Sequence, residues 1–340
     1  MSDRVLTILA GGTSRRFQHK NNQWSDKALM NYIDKPLLIH LLVQSIKLYD
    51  SVAISINKRK RKKVYSNLIN LYSTLSSPHY IIDEKRSRFE GVLKGIYTSM
   101  KYFENKEIQF VPSDRPYLNF EIIRKLDVKD NGASILQYSN GMIEPLLSLY
   151  GKNMRIPPIF FNLSLSRADV PIRLAQSIQT FSIEKLLSMN NLSARILANI
   201  NVKVDLDIPD NGIGVPKEVL LPIPRHIERK PLPPLPLDNM KRKIYVVMSE
   251  LMERERFYAA YLWVLLAQKN RWVDEINFNK LARDALRREM KYWNENNISF
   301  LELHALQDLV HNFPEEQTKN NMSTVLKLKE RMRIKPRKIN

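Results

Sequence analysis

Near the start of the chain, an apolar run ends at two glycines that are followed by hydroxyl and basic side chains. The segment reads Leu9, Ala10, Gly11, Gly12, Thr13 and Ser14, then Arg15 and Arg16. Glycine lets the backbone approach a phosphate closely with its N–H groups turned inward, and arginine neutralises phosphate charge. Lys27, further along, can add a positive charge. The pattern predicts a phosphate-cradling loop after a buried strand, although a glycine pair is also typical of an ordinary turn.

Asp114 is a second candidate for chemistry, because it follows the apolar segment 108–111 and stands before an Arg-Pro pair. A carboxylate at the end of a strand can hold a magnesium ion that bridges phosphates. Aspartate is also a common cap of helices, and a helix is predicted to begin near Tyr117 or Leu118. The spacing by itself leaves both interpretations open.

The elements that must position these residues alternate between strands and helices. Strand-like segments are residues 5–10, 52–56, 79–82, 108–111, 134–137 and 145–149, and helix-like segments are residues 36–49, 58–75 and 91–103. The alternation predicts parallel strands joined by right-handed crossovers, and therefore a three-layer, Rossmann-like α/β domain. Ligands bind beyond the carboxyl ends of strands in such sheets, which is where the glycine pair and Asp114 lie.

Taken together, these motifs resemble the opening signature of the nucleotidyltransferases, and most closely that of the molybdenum cofactor guanylyltransferases. The matching stretches are Leu-Ala-Gly-Gly-Thr-Ser-Arg-Arg at 9–16, Asp-Lys-Ala-Leu at 26–29 and Lys-Pro-Leu-Leu at 35–38. The resemblance implies a nucleotidyltransferase domain with a mostly parallel sheet over residues 1–210. It also implies transfer of GMP from GTP to a phosphorylated acceptor, molybdopterin, with release of pyrophosphate and with Mg²⁺ as cofactor.

The same resemblance assigns roles to individual residues. It places the phosphates on the loop of residues 9–14 and the departing pyrophosphate near Arg15, Arg16 and Lys27. Asn57 and Asp83 would frame the base and the ribose. Asp114 would hold the metal together with Asn201, which stands in a segment similar to the closing Asn-x-Asn of the family. From the residues alone, Asn57 and Asn201 are equally typical of turns, and Asp83 of a solvated loop.

The sequence also departs from the family pattern. Gln18 stands where the family has glycine, and several extra residues within 18–25 separate the arginines from Lys27. Asp34 replaces a turn glycine, a position that aspartate tolerates better than most residues. The longer loop leaves open whether Lys27 reaches the phosphates.

The composition changes after residue 210. Prolines concentrate between residues 215 and 238, which predicts an extended linker over 211–239. A helical domain is predicted for 240–326 and a basic tail for 327–340. Apolar periodicity over residues 244–265 indicates one long helix. Asn277 is expected to cap a second helix, and Ser299 with Glu302 a third.

The third of these helices carries His304, Asp308 and His311 on one face. Their spacing could hold zinc, but the face lies opposite the apolar residues of the helix, and we predict a solvated polar stripe. The role of the helical domain is open, and contact with a protein partner is one candidate.

The whole chain has 340 residues, a formal net charge of +19 and no cysteine. The missing thiols exclude disulfides and thiolate metal sites, and no apolar run is long enough to span a bilayer. The start of the chain lacks the pattern of a secretory signal, which predicts a cytoplasmic location. The positive charge is compatible with nucleic acid, an anionic membrane face or polyanionic small substrates and does not choose among them, and no aromatic-rich motif favours nucleic acid. The alternative function is a non-catalytic nucleotide-binding scaffold or regulator.

Overall fold

The computed structural model describes residues 3–12, 26–72, 77–85, 87–198, 223–236, 238 and 240–332. Its strands are β1 (Arg4–Leu9), β2 (Asn31–Tyr32), β3 (Lys35–Pro36), β4 (Ser51–Ile56), β5 (His79–Ile82), β6 (Glu107–Pro112), β7 (Gly132–Gln137), β8 (Leu149–Tyr150), β9 (Ser177–Ser182) and β10 (Arg225–Glu228). Its helices are α1 (Leu37–Ser45), α2 (Arg59–Asn70), α3 (Gly91–Tyr102), α4 (Phe120–Arg124), α5 (Val170–Leu174), α6 (Ile183–Met189), α7 (Met240–Glu253), α8 (Phe257–Lys269), α9 (Glu275–Glu295), α10 (Ser299–Asn312) and α11 (Lys319–Arg331).

Most of the strands form one mixed sheet in the order β10-β9-β7-β8-β6-β1-β4-β5, and β2 and β3 form a small hairpin. Neighbours run parallel in the pairs β1–β4, β1–β6, β4–β5 and β7–β9. β8 runs antiparallel between β6 and β7, and β10 is an antiparallel edge strand beside β9. The predicted α/β class with a mostly parallel sheet is confirmed.

Alternation along β1 sends its side chains to two separate cores, because successive residues of a strand point to opposite faces. Leu6 and Ile8 pack with α1 on one face. Val5 and Leu9 belong to a second cluster that contains α3 and continues along the sheet to α8 and α9. Both faces are therefore covered, which explains why the strand reads as a continuous apolar run. The helices after residue 240 share a core with the sheet, and the predicted domain boundaries stay predictions.

One predicted strand, residues 145–149, is wrong in most of its length. Pro145–Leu147 forms a 3-10 turn, in which the N–H of Leu147 donates to the carbonyl of Glu144 at 3.0 Å. Pro145 has no N–H to give to a ladder. Only Leu149 of the predicted segment lies in a strand.

The predicted long helix over 244–265 is also wrong, because α7 ends at Glu253 and α8 begins at Phe257. Between them Glu255 has a φ of +57°, in the left-handed region that ends helices. This break turns Arg256 inward, where its guanidinium donates to the carbonyls of Leu174 and Ala175 at the end of α5. Positive charge at the end of a helix satisfies carbonyls that lack partners within the helix.

The two predicted helix caps differ from the observed ones. Asp274 caps α9 by accepting from the N–H of Asn277 at 2.8 Å, so Asn277 lies inside the first turn. At α10 the residue in the cap position is Ile298, which makes no capping bond. Glu302 instead accepts from the side chain of Asn294 at 2.8 Å. In the part of the chain that the structure describes, no helix combines the length and apolarity needed to cross a bilayer.

Candidate functional site

The register of the parallel strands brings the ends of three strands, β1, β4 and β6, to one edge of the sheet. Leu9 in β1 lies beside both Ser55 in β4 and Pro112 in β6. Beyond this level, the N–H of Ala10 donates to the carbonyl of Ser55 at 2.9 Å, and that of Ser113 to the carbonyl of Leu9 at 3.2 Å. The loops after these strands therefore begin at one level, as ligand-binding loops do in α/β sheets.

The glycine pair opens the loop after β1. A Cβ on Gly11 would lie 3.3 Å from the backbone nitrogen of Asn57, so glycine allows the close approach of two loops. A Cβ on Gly12 would meet nothing within 4 Å. The next predicted loop residues, Thr13, Ser14, Arg15 and Arg16, lie outside the described residues, and their predicted contacts with phosphate stay predictions.

Three predicted site residues converge beside this loop. Asn57 directly follows β4, Asp83 directly follows β5, and Asp114 follows β6 by two residues. Each carries one buried side-chain oxygen, Oδ1, that has no hydrogen-bond partner among the described residues. Leaving a buried acceptor unpaired costs about 1–3 kcal/mol. Other described residues also have unpartnered buried atoms, but these three oxygens each follow a strand that ends at the same edge of the sheet. Three of them at one edge are typical of a site whose donors arrive with a ligand.

Asp83 lies in a partly desolvated position. Burial raises its pKa to about 6, although the positive charges of Lys94 and Arg61 act in the opposite direction. The backbone of Asp83 is fixed, since its N–H donates to the carbonyl of Ile56 at 3.0 Å. α3 packs closely against the Asp83 side chain, because a Cβ added to Gly95 of α3 would lie 3.6 Å from Oδ1 of Asp83. The carboxylate is therefore held in place as an acceptor.

Lys27 reaches the site in spite of the longer loop. Its Nζ lies 2.8 Å from Oδ2 of Asp114, and both side chains are largely buried. Lys27 begins a 3-10 turn, Lys27–Leu29, whose cap is Asp26; the Asp26 carboxylate accepts from the N–H of Ala28 at 3.2 Å. The turn directs the Lys27 side chain toward Asp114, at the edge of the sheet. The extra residues before it therefore leave Lys27 beside Asp114.

The residues at this edge fit a magnesium ion. With Oδ2 of Asp114 bonded to Lys27, its Oδ1 remains as a carboxylate oxygen of the kind that Mg²⁺ prefers. Within the described part of the chain, no three acidic or histidine side chains cluster as a metal site. Magnesium usually takes one or two carboxylates and completes its shell with water and substrate phosphates. Asn201, the other predicted ligand, lies outside the described residues.

A further ion pair, between Arg115 and Glu144, lies next to this site. Arg115, next to Asp114, is buried and donates to Glu144 at 2.5 Å. Its other terminal nitrogen donates to the carbonyl of Leu197 at 2.7 Å. Tyr138 completes the group with a 3.2 Å bond from its hydroxyl to Glu144. Arg115 thus fixes the carboxylate of Glu144 next to Asp114.

A second group that the sequence did not reveal as functional is centred on Arg61 in α2. Its guanidinium contacts the carbonyls of Ala10 and Gly12, and Tyr65 contacts Asp26. The available signal was position: Arg61 and Tyr65 lie four residues apart on the buried stripe of α2. An arginine on a buried stripe requires a partner, because an unpaired buried charge is costly.

The polar face of α10 does not form the predicted solvated stripe. His304 lies 3.0 Å from the buried Asp169, and Asp308 pairs with Arg173 at 2.8 Å. Burial by itself would raise the pKa of Asp169, but His304 and Arg167 hold it well below its ordinary value. His304 and Asp308 therefore join α10 to Asp169, at the start of α5, and to Arg173 within α5.

Comparisons with known proteins found the following similarities. The family model described as the MobA-like NTP transferase domain matches residues 6–160. A molybdenum cofactor guanylyltransferase of Histophilus somni (strain 2336) is 28% identical over 204 residues, which cover 59% of this chain and 92% of that protein. A Geobacillus protein (strain WCH70), named "Probable molybdenum cofactor guanylyltransferase", is 31% identical over 154 residues, 44% of this chain and 71% of its own. The inositol-1-phosphate CTP transferase structure from T. maritima has a TM-score of 0.41 at 12% identity, covering 53% of this chain and 85% of that one.

Proposed function

This chain belongs to the MobA-like nucleotidyltransferases, and on that premise we propose that it transfers GMP from GTP to the phosphate of molybdopterin. A phosphate oxygen of the acceptor attacks the α-phosphorus, the bond from that phosphorus to the bridging oxygen of the β-phosphate breaks, and pyrophosphate leaves. Such a reaction depends on positioning and on neutralising charge more than on covalent help from the protein. The names of the curated relatives support this choice of donor and acceptor.

The observation that carries the proposal is the set of unpartnered oxygens on Asn57, Asp83 and Asp114, which follow the ends of β4, β5 and β6. Guanine presents two adjacent donors, N1–H and N2–H₂, and an ionised Asp83 accepts both. Neither adenine nor the pyrimidines offer this pair of donors. The carboxylate of Asp83 is therefore the group that would select GTP, with Asn57 beside it at the base or ribose.

Near Asp114, the positive side chains are proposed to bind the triphosphate. Lys27 is held at 2.8 Å from Asp114 and would stabilise the negative charge that develops on pyrophosphate. Arg15 and Arg16 are proposed to act with it, and the N–H groups of the Gly11 loop to receive phosphate oxygens. Asp114, with Asn201, would hold Mg²⁺, which when bound neutralises phosphate charge.

The test is binding followed by turnover on the intact chain. Calorimetry with GTP, ATP, CTP and UTP in the presence of Mg²⁺ is expected to show a clear preference for GTP, and the Asp83→Asn variant is expected to lose that preference. Addition of molybdopterin is expected to release pyrophosphate. Preference for another base would overturn the assignment of GTP, and GTP binding without pyrophosphate release would favour the non-catalytic scaffold.

A further inference from the structure

Arg61 contacts residues on both sides of the predicted phosphate loop. It lies in α2, is 5% exposed, and its side chain reaches across the end of β1. Nη1 donates to the carbonyl of Ala10 at 2.5 Å and Nη2 to that of Gly12 at 2.8 Å. Nε lies 3.4 Å from Oδ2 of Asp26. One guanidinium therefore contacts the residues on both sides of segment 13–25.

Tyr65, one helical turn after Arg61, strengthens the connection to Asp26. Its hydroxyl donates to the same oxygen of Asp26 at 2.8 Å, and the Tyr65 side chain is fully buried. The Asp26 carboxylate thus receives the arginine charge, the tyrosine hydroxyl and the N–H of Ala28. Because Asp26 caps the turn that begins at Lys27, the position of Lys27 beside Asp114 depends on this contact.

Arg61 also sets the direction of the first peptide group of the loop. In a trans peptide the N–H points away from the preceding carbonyl. Since the carbonyl of Ala10 points to Arg61, the N–H of Gly11 points to the opposite side. The arginine thereby removes from the other side of the loop a carbonyl oxygen that would repel phosphate, and it leaves there the donor that a phosphate requires.

We propose that Arg61 is a positioning residue for the triphosphate: it orients the glycine loop and, through Asp26, places Lys27. The inference rests on the proposed nucleotidyl transfer. Arginine suits this task because its planar fork donates in several fixed directions, which a single ammonium group does not. The contacts of Arg61 described above are with the loop carbonyls and Asp26, so its removal should affect the phosphates most. Its charge also lowers the pKa of Asp83, and the affinities are therefore compared at pH 8, where Asp83 is ionised.

The experiment compares the affinities of a nucleoside triphosphate and its monophosphate, GTP and GMP, in variants of the intact chain. In Arg61→Met the Kd and KM for GTP are expected to rise by about 10- to 100-fold, because small misplacements of binding groups have effects of this size. The Kd for GMP should change far less. Arg61→Lys should retain part of the affinity for GTP that Arg61→Met loses. The matched control is Arg59→Met, which removes an exposed charge from the same helix and should leave both affinities unchanged.

A purely structural role would give a different pattern. Equal losses for GTP and GMP, or no loss in a folded Arg61→Met protein, would overturn the proposal. If Arg61→Met fails to fold by circular dichroism, Tyr65→Phe decides instead: it keeps Arg61, removes one bond to Asp26, and should still weaken GTP more than GMP. If the wild-type chain binds GTP but releases no pyrophosphate with molybdopterin, the proposed reaction fails while the role of Arg61 in triphosphate binding stands.

Discussion

Arg173 in α5 donates to both carboxylate oxygens of Glu289 in α9, with bonds of 2.7 and 2.6 Å. The two side chains are 0% and 2% exposed, and the guanidinium also lies 3.5 Å from the ring centre of Tyr258. Trp293 donates to the same carboxylate at 3.0 Å. The contact joins α5 to α9, in the interior of the core that the sheet and the C-terminal helices share.

Breaking this pair should destabilise the whole molecule. In Glu289→Gln one buried partner loses its charge, and removing one member of a buried ion pair costs about 3–5 kcal/mol. We therefore expect a large decrease in the midpoint of urea unfolding, with the sheet and the helices unfolding in one transition. Fluorescence and far-UV circular dichroism should report the same midpoint. Two separate transitions would contradict the shared core.

The same helix supplies a control. Arg288 and Asp284 form a pair at 3.2 Å, but both side chains are more than half exposed. Exposed pairs one helical turn apart contribute about 0.3–0.5 kcal/mol. Asp284→Asn should therefore shift the unfolding midpoint only slightly, which separates the effect of burial from that of losing a carboxylate in α9.

Apolar runs and glycines were sufficient to predict the part of the fold that carries the site. β1, β4, β5 and β6 read as buried strands, and Gly11, Asn57, Asp83 and Asp114 follow their ends in the sequence. Because parallel strands bring their carboxyl ends to one edge, order along the chain predicted proximity in space. The functional roles of these residues stay predictions until nucleotide binding is measured.

Features that depend on tertiary contacts were not predictable in the same way. The apolar period continues through residues 244–265, and the break at Glu255 accompanies the contact of Arg256 with the carbonyls at the end of α5. β10 is a short, mostly exposed strand whose sequence carries little β signal, and β9 determines its pairing. His304 looks like a surface residue in the sequence, because its buried partner Asp169 leaves no local pattern.

Asp114 should be required for magnesium-dependent turnover. In Asp114→Asn the side chain keeps its size but loses the negative charge that pairs with Lys27 and would hold the metal. Loss of a charged group at the reacting phosphates should lower kcat on the order of 100-fold or more. Pyrophosphate release, measured over a range of Mg²⁺ concentrations, tests this. Asp127→Asn, at an exposed position after α4, is the matched control and should retain full activity.

Asp83 should make binding and stability depend on pH in opposite ways. Its pKa is raised by burial from 3.8 to about 6, so the folded protein binds more protons than the unfolded chain between these values. Stability therefore falls as pH rises through this range, and the penalty of the ionised carboxylate is fully present above pH 6. Asp83→Asn should stabilise the protein at pH 8 by roughly 1–2 kcal/mol, after allowance for partial exposure.

The advantage of Asp83→Asn should decrease below pH 6, where the wild-type carboxyl is itself protonated. Affinity for GTP should move the other way: the wild type should lose it as the pH falls through about 6, and the variant should show weak binding at every pH. Thermal unfolding and calorimetry at pH 5 and pH 8 measure the two effects. If the difference in stability between the wild type and Asp83→Asn did not change with pH, burial would not be the cause of a raised Asp83 pKa.

Gly95 should tolerate no side chain unless Ser55 is shortened. A Cβ there would lie 2.8 Å from Oγ of Ser55 and 3.7 Å from Leu9, within the tightly packed contact between α3 and the sheet. Overpacking of this kind costs about 1–3 kcal/mol, and the strain would be passed to Asp83, whose Oδ1 lies 3.6 Å away. We expect Gly95→Ala to lower both the unfolding midpoint and the affinity for GTP. Adding Ser55→Ala removes the clashing hydroxyl and should restore both the unfolding midpoint and the affinity for GTP. Ser55→Ala alone, in the wild-type background, should have a small effect. If the double variant does not regain stability and affinity, the methyl group displaces the backbone of α3 and not the Ser55 hydroxyl.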